Sequence, residues 1–113
     1  MTIHFVGAGP GPADLLTVRA TRMLGSADVL LARLEGADPE VLALCREDVA
    51  VLDAGQLAPE QVEQVLLAAG GMGHTVVVLL PGAGALGEAE HGWTDSLDAH
   101  AVAWDHTAGV ATA

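Results

Sequence analysis

The chain has 113 residues, of which 51% are apolar, and this is enough for one domain over 1–113 with a core of its own. Four arginines, with no lysine, stand against 15 acidic residues, and the formal net charge of −11 argues against nucleic acid and anionic membranes as partners. A single cysteine, Cys45, and the lack of a basic segment before the first apolar run predict a cytoplasmic protein.

The first half of the chain alternates short apolar runs with segments of helical periodicity. A buried strand is predicted over 3–6, and the glycine- and proline-rich stretch 7–12 that follows it cannot form regular structure. Apolar residues at helical spacing then predict a helix that begins after Asp14 and ends at Gly25. The next predicted elements are a strand over 28–32, a short helix from Pro39 to Leu44 or Cys45, and a strand over 49–52.

The second half continues this alternation. A helix is predicted from Pro59 to the glycines at 70–73, followed by a strand over 75–80 and a second glycine-rich turn over 81–84. The last predicted elements are a helix after Gly92, a strand over 101–104 and a turn over 108–110. Strands that alternate with helices predict a Rossmann-like, three-layer α/β fold with a mostly parallel, five-stranded sheet.

Both glycine-rich turns follow a predicted strand, so both are expected at the carboxyl edge of the sheet, where open parallel sheets bind ligands. Glycine lets the backbone approach a ligand closely and leaves its amides accessible. The first turn is not the dinucleotide fingerprint GxGxxG, because the third glycine position is Pro12. From this turn alone, a ligand-binding loop and a tight structural turn are equal alternatives.

The residues that follow the first turn are informative. The segment 7–20, GAGPGPADLLTVRA, resembles the opening signature of the tetrapyrrole (corrin/porphyrin) methylases. The stretch 26–66 is similar to the precorrin-4 C11-methyltransferase branch of that family through 27–30, 38–42, Cys45 and 57–61. This resemblance covers most of the chain up to Leu80.

The resemblance implies the first domain of the tetrapyrrole methylase fold, with S-adenosylmethionine as cofactor in a cleft between two domains and a corrin precursor as substrate. It implies substrate-binding residues in and after the first loop: Gly7, Gly9, Pro10, Gly11 and Arg19. Arg19 and Arg22 lie one turn apart on the predicted helix, and a role in solvent or in an ion pair within the helix is an equal alternative to a contact with substrate carboxylates. The second loop aligns with the family pattern GDPxxxxG, which implies these cofactor-binding residues: Pro81, Gly82, Ala83, Gly84 and Gly87.

Two departures from the family pattern bear on activity. Ala83 and Gly84 replace the acid and the proline of the second loop, which is also shorter before Gly87. The family's second domain is absent from these 113 residues. We therefore expect a half-enzyme that needs a homo-oligomer or a partner chain to complete its site. The alternatives are a degenerate, non-catalytic domain that self-associates or binds a ligand, and an unrelated nucleotide-binding α/β module.

Other chemistry-bearing residues have plainer interpretations. The histidines at 74, 91, 100 and 106 match no zinc spacing, so no metal is predicted and surface positions are favoured. Three acids, Glu88, Glu90 and Asp95, suggest either acid/base chemistry or a solvated loop. Cys45 is interpreted as a small core residue rather than a nucleophile. Trp104 is expected in the core, whereas Trp93 is left open between core and ligand stacking.

Overall fold

The computed structural model describes residues 3–7, 18–33, 39–80 and 87–107. These residues form five strands, β1 (Ile3–Gly7), β2 (Val29–Ala32), β3 (Ala50–Asp53), β4 (Val76–Leu80) and β5 (Trp104–Thr107). They also form four helices, α1 (Val18–Ser26), α2 (Pro39–Leu42), α3 (Pro59–Gly71) and α4 (Glu88–Ala99), and a 3₁₀ turn over Ala54–Gln56.

The strands form one sheet in the order β3-β2-β4-β1-β5, and every pairing between neighbours is parallel. This confirms the predicted α/β fold with a five-stranded parallel sheet. The central strands β4 and β1 are almost continuously apolar, as expected for strands that are covered on both faces. Their pairing runs from Ile3 opposite Val76 to Gly7 opposite Leu80, so the two strands end level with each other.

Each face of the sheet packs against a different pair of helices. Successive side chains of a strand point to opposite faces, so Phe5 lies in one core cluster and Val6 in the other. The cluster around Phe5 includes Leu66 of α3 and Leu97 of α4. The cluster around Val6 includes residues of α1 and α2. The helices α1 and α2 thus cover one face, and α3 and α4 cover the other.

Glycine proved a poor marker of helix ends in this chain. Helix α1 continues through Gly25 to Ser26, and α3 includes two glycines that were expected to end it, Gly70 and Gly71. Helix α4 begins at Glu88 rather than after Gly92, so the acids at 88, 90 and 95 lie on a helix and not in a loop. A Cβ at Gly92 would meet nothing within 4 Å. The packing of α4 on α3 outweighs the weak helix propensity of this glycine.

The last strand lies three residues later than the predicted 101–104. Ala101 has a positive φ of 58°. Its N–H donates to the backbone carbonyl of Asp98, and the N–H of Val102 donates to the backbone carbonyl of Leu97. These two bonds form a Schellman motif that closes α4, so residues 101–103 belong to the helix end and its exit. The predicted turns over 8–12, 81–84 and 108–110, and the helix start at Asp14, lie outside the described residues.

A cluster around Asp28 joins three segments at the amino edge of the sheet. Its carboxylate accepts hydrogen bonds from the backbone N–H of Thr75, at 2.8 Å, and from the guanidinium of Arg46, at 2.7 Å. The Thr75 bond, followed by the Arg46 bond, holds the pKa of Asp28 below its ordinary value. The ionised carboxylate therefore links the start of β2 to the segments that lead into β3 and β4.

We expect Asp28→Asn to lower stability at neutral pH and to have little effect in acid. A carboxyl whose folded pKa is depressed stabilises the fold above its unfolded pKa, and the contribution is lost as the pH falls below about 4. Urea midpoints measured from neutral to acid pH should therefore converge for the wild-type and Asp28→Asn chains. Asp48→Asn is the matched control, because the Asp48 side chain is 80% exposed and contacts Arg46 alone among the ion pairs described. An equal offset at every pH would contradict the role of charge.

Candidate ligand-binding edge of the sheet

The two predicted loops begin at neighbouring positions of the sheet. Gly7 is the last residue of β1 and Leu80 the last of β4, and these two residues are partners in the parallel pairing. The segment that follows Gly7 and the segment that follows Leu80 therefore leave the same carboxyl edge side by side.

The helices that follow β1 and β4 along the chain pack on opposite faces of the sheet. The connection from β1 leads to α1, which packs in the core cluster around Val6, whereas that from β4 leads to α4, which packs in the cluster around Phe5. Adjacent parallel strands whose connections diverge in this way form a topological switch point, which is where open α/β sheets bind ligands. The described geometry thus identifies the edge between β1 and β4 as the candidate site.

The sequence-predicted residues of the two loops are described only in part. Gly7 is buried at the end of β1, and Gly87 is exposed in extended backbone immediately before α4. The remaining loop residues lie outside the described part of the chain: Gly9, Pro10, Gly11, Pro81, Gly82, Ala83 and Gly84.

Arg19 is placed on α1, where it contacts the edge strand β5. Its Nη2 lies 3.5 Å from Oδ2 of Asp105, and Oδ1 of Asp105 lies 2.7 Å from Nδ1 of His4. His4 and Asp105 are partners in the pairing of β1 with β5. The Arg19 side chain is 63% exposed, so most of its donors face solvent. The pairing of His4 with Asp105 was not predicted, because the partners are far apart in sequence and a histidine in an apolar run gives no signal.

Another arginine near this edge, Arg33, was not singled out from the sequence. Arg33 follows Ala32, the last residue of β2, and is exposed at the carboxyl edge. Beside it, the carboxylate of Asp53 accepts a 2.9 Å hydrogen bond from the N–H of Gly55 and so caps the 3₁₀ turn. The sequence could place Arg33 at this edge, because it directly follows a predicted strand and a parallel sheet brings all such positions to one edge, but it could not place β2 beside β4.

The remaining candidates are the histidines, Trp93 and the acids of α4, of which Glu88 directly follows Gly87. Within residues 3–7, 18–33, 39–80 and 87–107, no group of three or more metal-ligating side chains is close enough to hold an ion. Glu88 lines a shallow groove between α3 and α4, together with Glu60, Glu63 and Trp93. Nε1 of Trp93 donates to the carbonyl of Pro59.

Cys45 and Trp104 have the packing that the sequence predicted. Cys45 is half-buried against the core cluster around Val6, and burial raises the pKa of its thiol, which disfavours a nucleophilic thiolate. Trp104 packs edge-on against Phe5 in the other cluster. It begins β5, however, rather than ending the last strand as expected. Among the helices of the described part, none is long and apolar enough to cross a bilayer.

Comparison with known proteins agrees with this fold. The family described as Tetrapyrrole (Corrin/Porphyrin) Methylases matches residues 2–110. Precorrin-4 C(11)-methyltransferase of Rhodococcus erythropolis is 34% identical over 110 residues, covering 97% of this chain and 44% of the relative. The corresponding protein of Mycobacterium tuberculosis is 36% identical over the same length. The chain therefore spans less than half the length of these relatives.

Solved structures of longer proteins contain the same fold. A cobalt precorrin-4 methyltransferase described as a cobalamin biosynthetic enzyme superposes with a TM-score of 0.89 at 26% identity, covering 97% of this chain and 46% of that one. A uroporphyrin-III C-methyltransferase from Thermus thermophilus, solved with S-adenosylhomocysteine, gives 0.76 at 28% identity over 98% of this chain and 46% of that one. The match over nearly its whole length, on a sheet whose β1 and β4 end as partners, shows that this chain belongs to the tetrapyrrole (corrin/porphyrin) methylase family.

Proposed function

We propose that the chain is the N-terminal, substrate-facing half of an S-adenosylmethionine-dependent tetrapyrrole methyltransferase that methylates a ring carbon of a corrin precursor. In this proposal residues 1–113 form a single cytoplasmic domain, and a second domain completes the cleft. The observation that carries the proposal is the level ending of β1 and β4 at Gly7 and Leu80, in a chain of this family.

The described part of this edge is compatible with the cofactor. Gly7 has no side chain to fill the space beyond β1, and exposed Gly87 leaves the approach to α4 open. The sulfonium of S-adenosylmethionine supplies the methyl group, so the protein's task is to hold the acceptor carbon in line with it. We propose that Gly7, Gly9, Pro10, Gly11 and Arg19 border the tetrapyrrole, and that Pro81, Gly82, Ala83, Gly84 and Gly87 hold the cofactor.

Titration calorimetry with S-adenosylhomocysteine tests this proposal on the chain as it exists. We expect a measurable heat of binding for the wild-type chain and an affinity reduced by at least about tenfold in Gly82→Val, because a branched side chain blocks close backbone approach. Gly92→Ala is the matched control, since a Cβ at that position of α4 meets nothing within 4 Å. Equal affinities in Gly82→Val and the wild type would refute the assignment of the second loop.

A second candidate function is a non-catalytic domain that self-associates. Two observations favour it: Ala83 and Gly84 replace the acid and proline of the family's second loop, and the edge strand β3 exposes Ala50 and Val51. An open strand edge with apolar side chains can pair with the same strand of another copy. Calorimetry combined with sedimentation separates the two functions, because this candidate predicts a self-associating chain that gives no heat with S-adenosylhomocysteine even at high ligand concentration.

A further inference from the structure

Arg33 lies at the carboxyl edge of the sheet, beside the candidate site. It directly follows the last residue of β2, and β2 pairs in parallel with β4, with Leu31 opposite Val78. The end of β2 is therefore adjacent to the end of β4, from which the second loop leaves. The order β3-β2-β4-β1-β5 places β2, β4 and β1 consecutively, so Arg33 flanks the edge between β4 and β1.

The Arg33 side chain is supported along its stem and open at its end. A Cβ added to Gly55 would lie 3.9 Å from Cγ of Arg33, so the aliphatic stem rests near the 3₁₀ turn that Asp53 caps. The residue is exposed, and no hydrogen bond or ion pair joins it to another described residue. By contrast, Arg46 is held by Asp28 and Arg19 contacts Asp105.

Positive charge is scarce in this chain, so the Arg33 guanidinium stands in a mostly acidic surface. Residues 47–113 carry ten acidic side chains and no arginine or lysine, and all four arginines lie within residues 19–46. An anionic ligand that approaches this molecule is repelled by most of its surface. A guanidinium at the carboxyl edge therefore offers a local attraction, and its planar set of donors matches the geometry of a carboxylate.

We propose that Arg33 binds a carboxylate side chain of the tetrapyrrole substrate and so positions the macrocycle over the edge between β4 and β1. This inference rests on the proposed methyltransferase function. The amino-acid portion of S-adenosylmethionine also carries a carboxylate, so the shared chemistry is guanidinium–carboxylate pairing. We assign the carboxylate to the substrate, and the test measures the binding of the substrate analogue and of the cofactor product separately.

The test measures binding of uroporphyrin III, by quenching of tryptophan fluorescence, and of S-adenosylhomocysteine, by calorimetry, to the wild-type, Arg33→Gln and Arg22→Gln chains. Arg22→Gln is the matched control, because Arg22 is an exposed arginine on α1 and its loss changes the net charge equally. We expect Arg33→Gln to weaken porphyrin binding about tenfold at low salt, with Arg22→Gln within about twofold of the wild type. S-adenosylhomocysteine binding and the thermal midpoint should be unchanged.

The other outcomes overturn the inference in distinguishable ways. Equal porphyrin affinities for Arg33→Gln and Arg22→Gln would show that only net charge matters. A loss of S-adenosylhomocysteine affinity in Arg33→Gln, with porphyrin binding intact, would assign the arginine to the cofactor. A wild-type chain that binds S-adenosylhomocysteine but no porphyrin would overturn the substrate contact alone, whereas one that binds neither would refute the proposed function as well.

Discussion

Phe5→Ala is expected to lower the free energy of unfolding by about 3–5 kcal/mol, because it removes a fully buried aromatic side chain and leaves a cavity. Phe5 is 0% exposed and lies in β1, with Val78 of β4 and His106 of β5 as its partners in register. Its ring meets that of Trp104 edge-on, with 5.9 Å between centroids. The loss is a large part of the roughly 5–15 kcal/mol that stabilises a typical domain, so partial unfolding is expected.

Urea denaturation followed by circular dichroism measures this effect. Phe5→Leu keeps most of the buried volume and should cost less than Phe5→Ala, which keeps the prediction testable if the alanine variant fails to fold. Met72→Ala is the surface control, because Met72 is 73% exposed, and it should stay within about 0.5 kcal/mol of the wild type. A Phe5→Ala midpoint close to that of Met72→Ala would mean that β1 is not the centre of the core.

The central strands of the sheet could be predicted because they are buried on both faces. Stretches such as 3–6 and 75–80 contain few polar residues, and burial in a parallel sheet requires that composition. The edge strand β5 was misplaced for the complementary reason. Its sequence is Trp104-Asp105-His106-Thr107. The Asp105 carboxylate is paired with His4, a residue near the other end of the chain. No local pattern contains that information.

The candidate site could be predicted as an edge but not as a set of contacts. Strand-then-glycine patterns at Gly7 and Leu80 are local, and parallel pairing carries both to one edge, as the register confirms. The strand order is not local, so no sequence pattern indicated that the end of β2 lies beside the end of β4. Arg33 was overlooked for this reason, since its significance depends on which strand is its neighbour.

Gly70→Ala is expected to destabilise the chain, although alanine is the better helix former. A Cβ at Gly70 would lie 2.6 Å from Cγ1 of Val102, which is closer than carbon atoms can pack, and 3.4 Å from its Cγ2. Val102 cannot move away easily, because its N–H is bonded to the carbonyl of Leu97 in the motif that closes α4, and its branched side chain is stiff. We expect a net loss of about 1–3 kcal/mol, as is typical of overpacking.

The next residue of the same helix provides the control for this glycine. A Cβ at Gly71 would meet nothing within 4 Å, so Gly71→Ala should gain stability, by up to about 1 kcal/mol of helix propensity. Val102→Ala introduced into Gly70→Ala removes the opposing methyl groups and should recover part of the loss, which a double-mutant cycle measures. If Gly70→Ala and Gly71→Ala raise the thermal midpoint equally, the close approach of α3 to Val102 does not constrain the fold. Opposite signs at adjacent glycines would show that the first is required by packing and the second is merely tolerated.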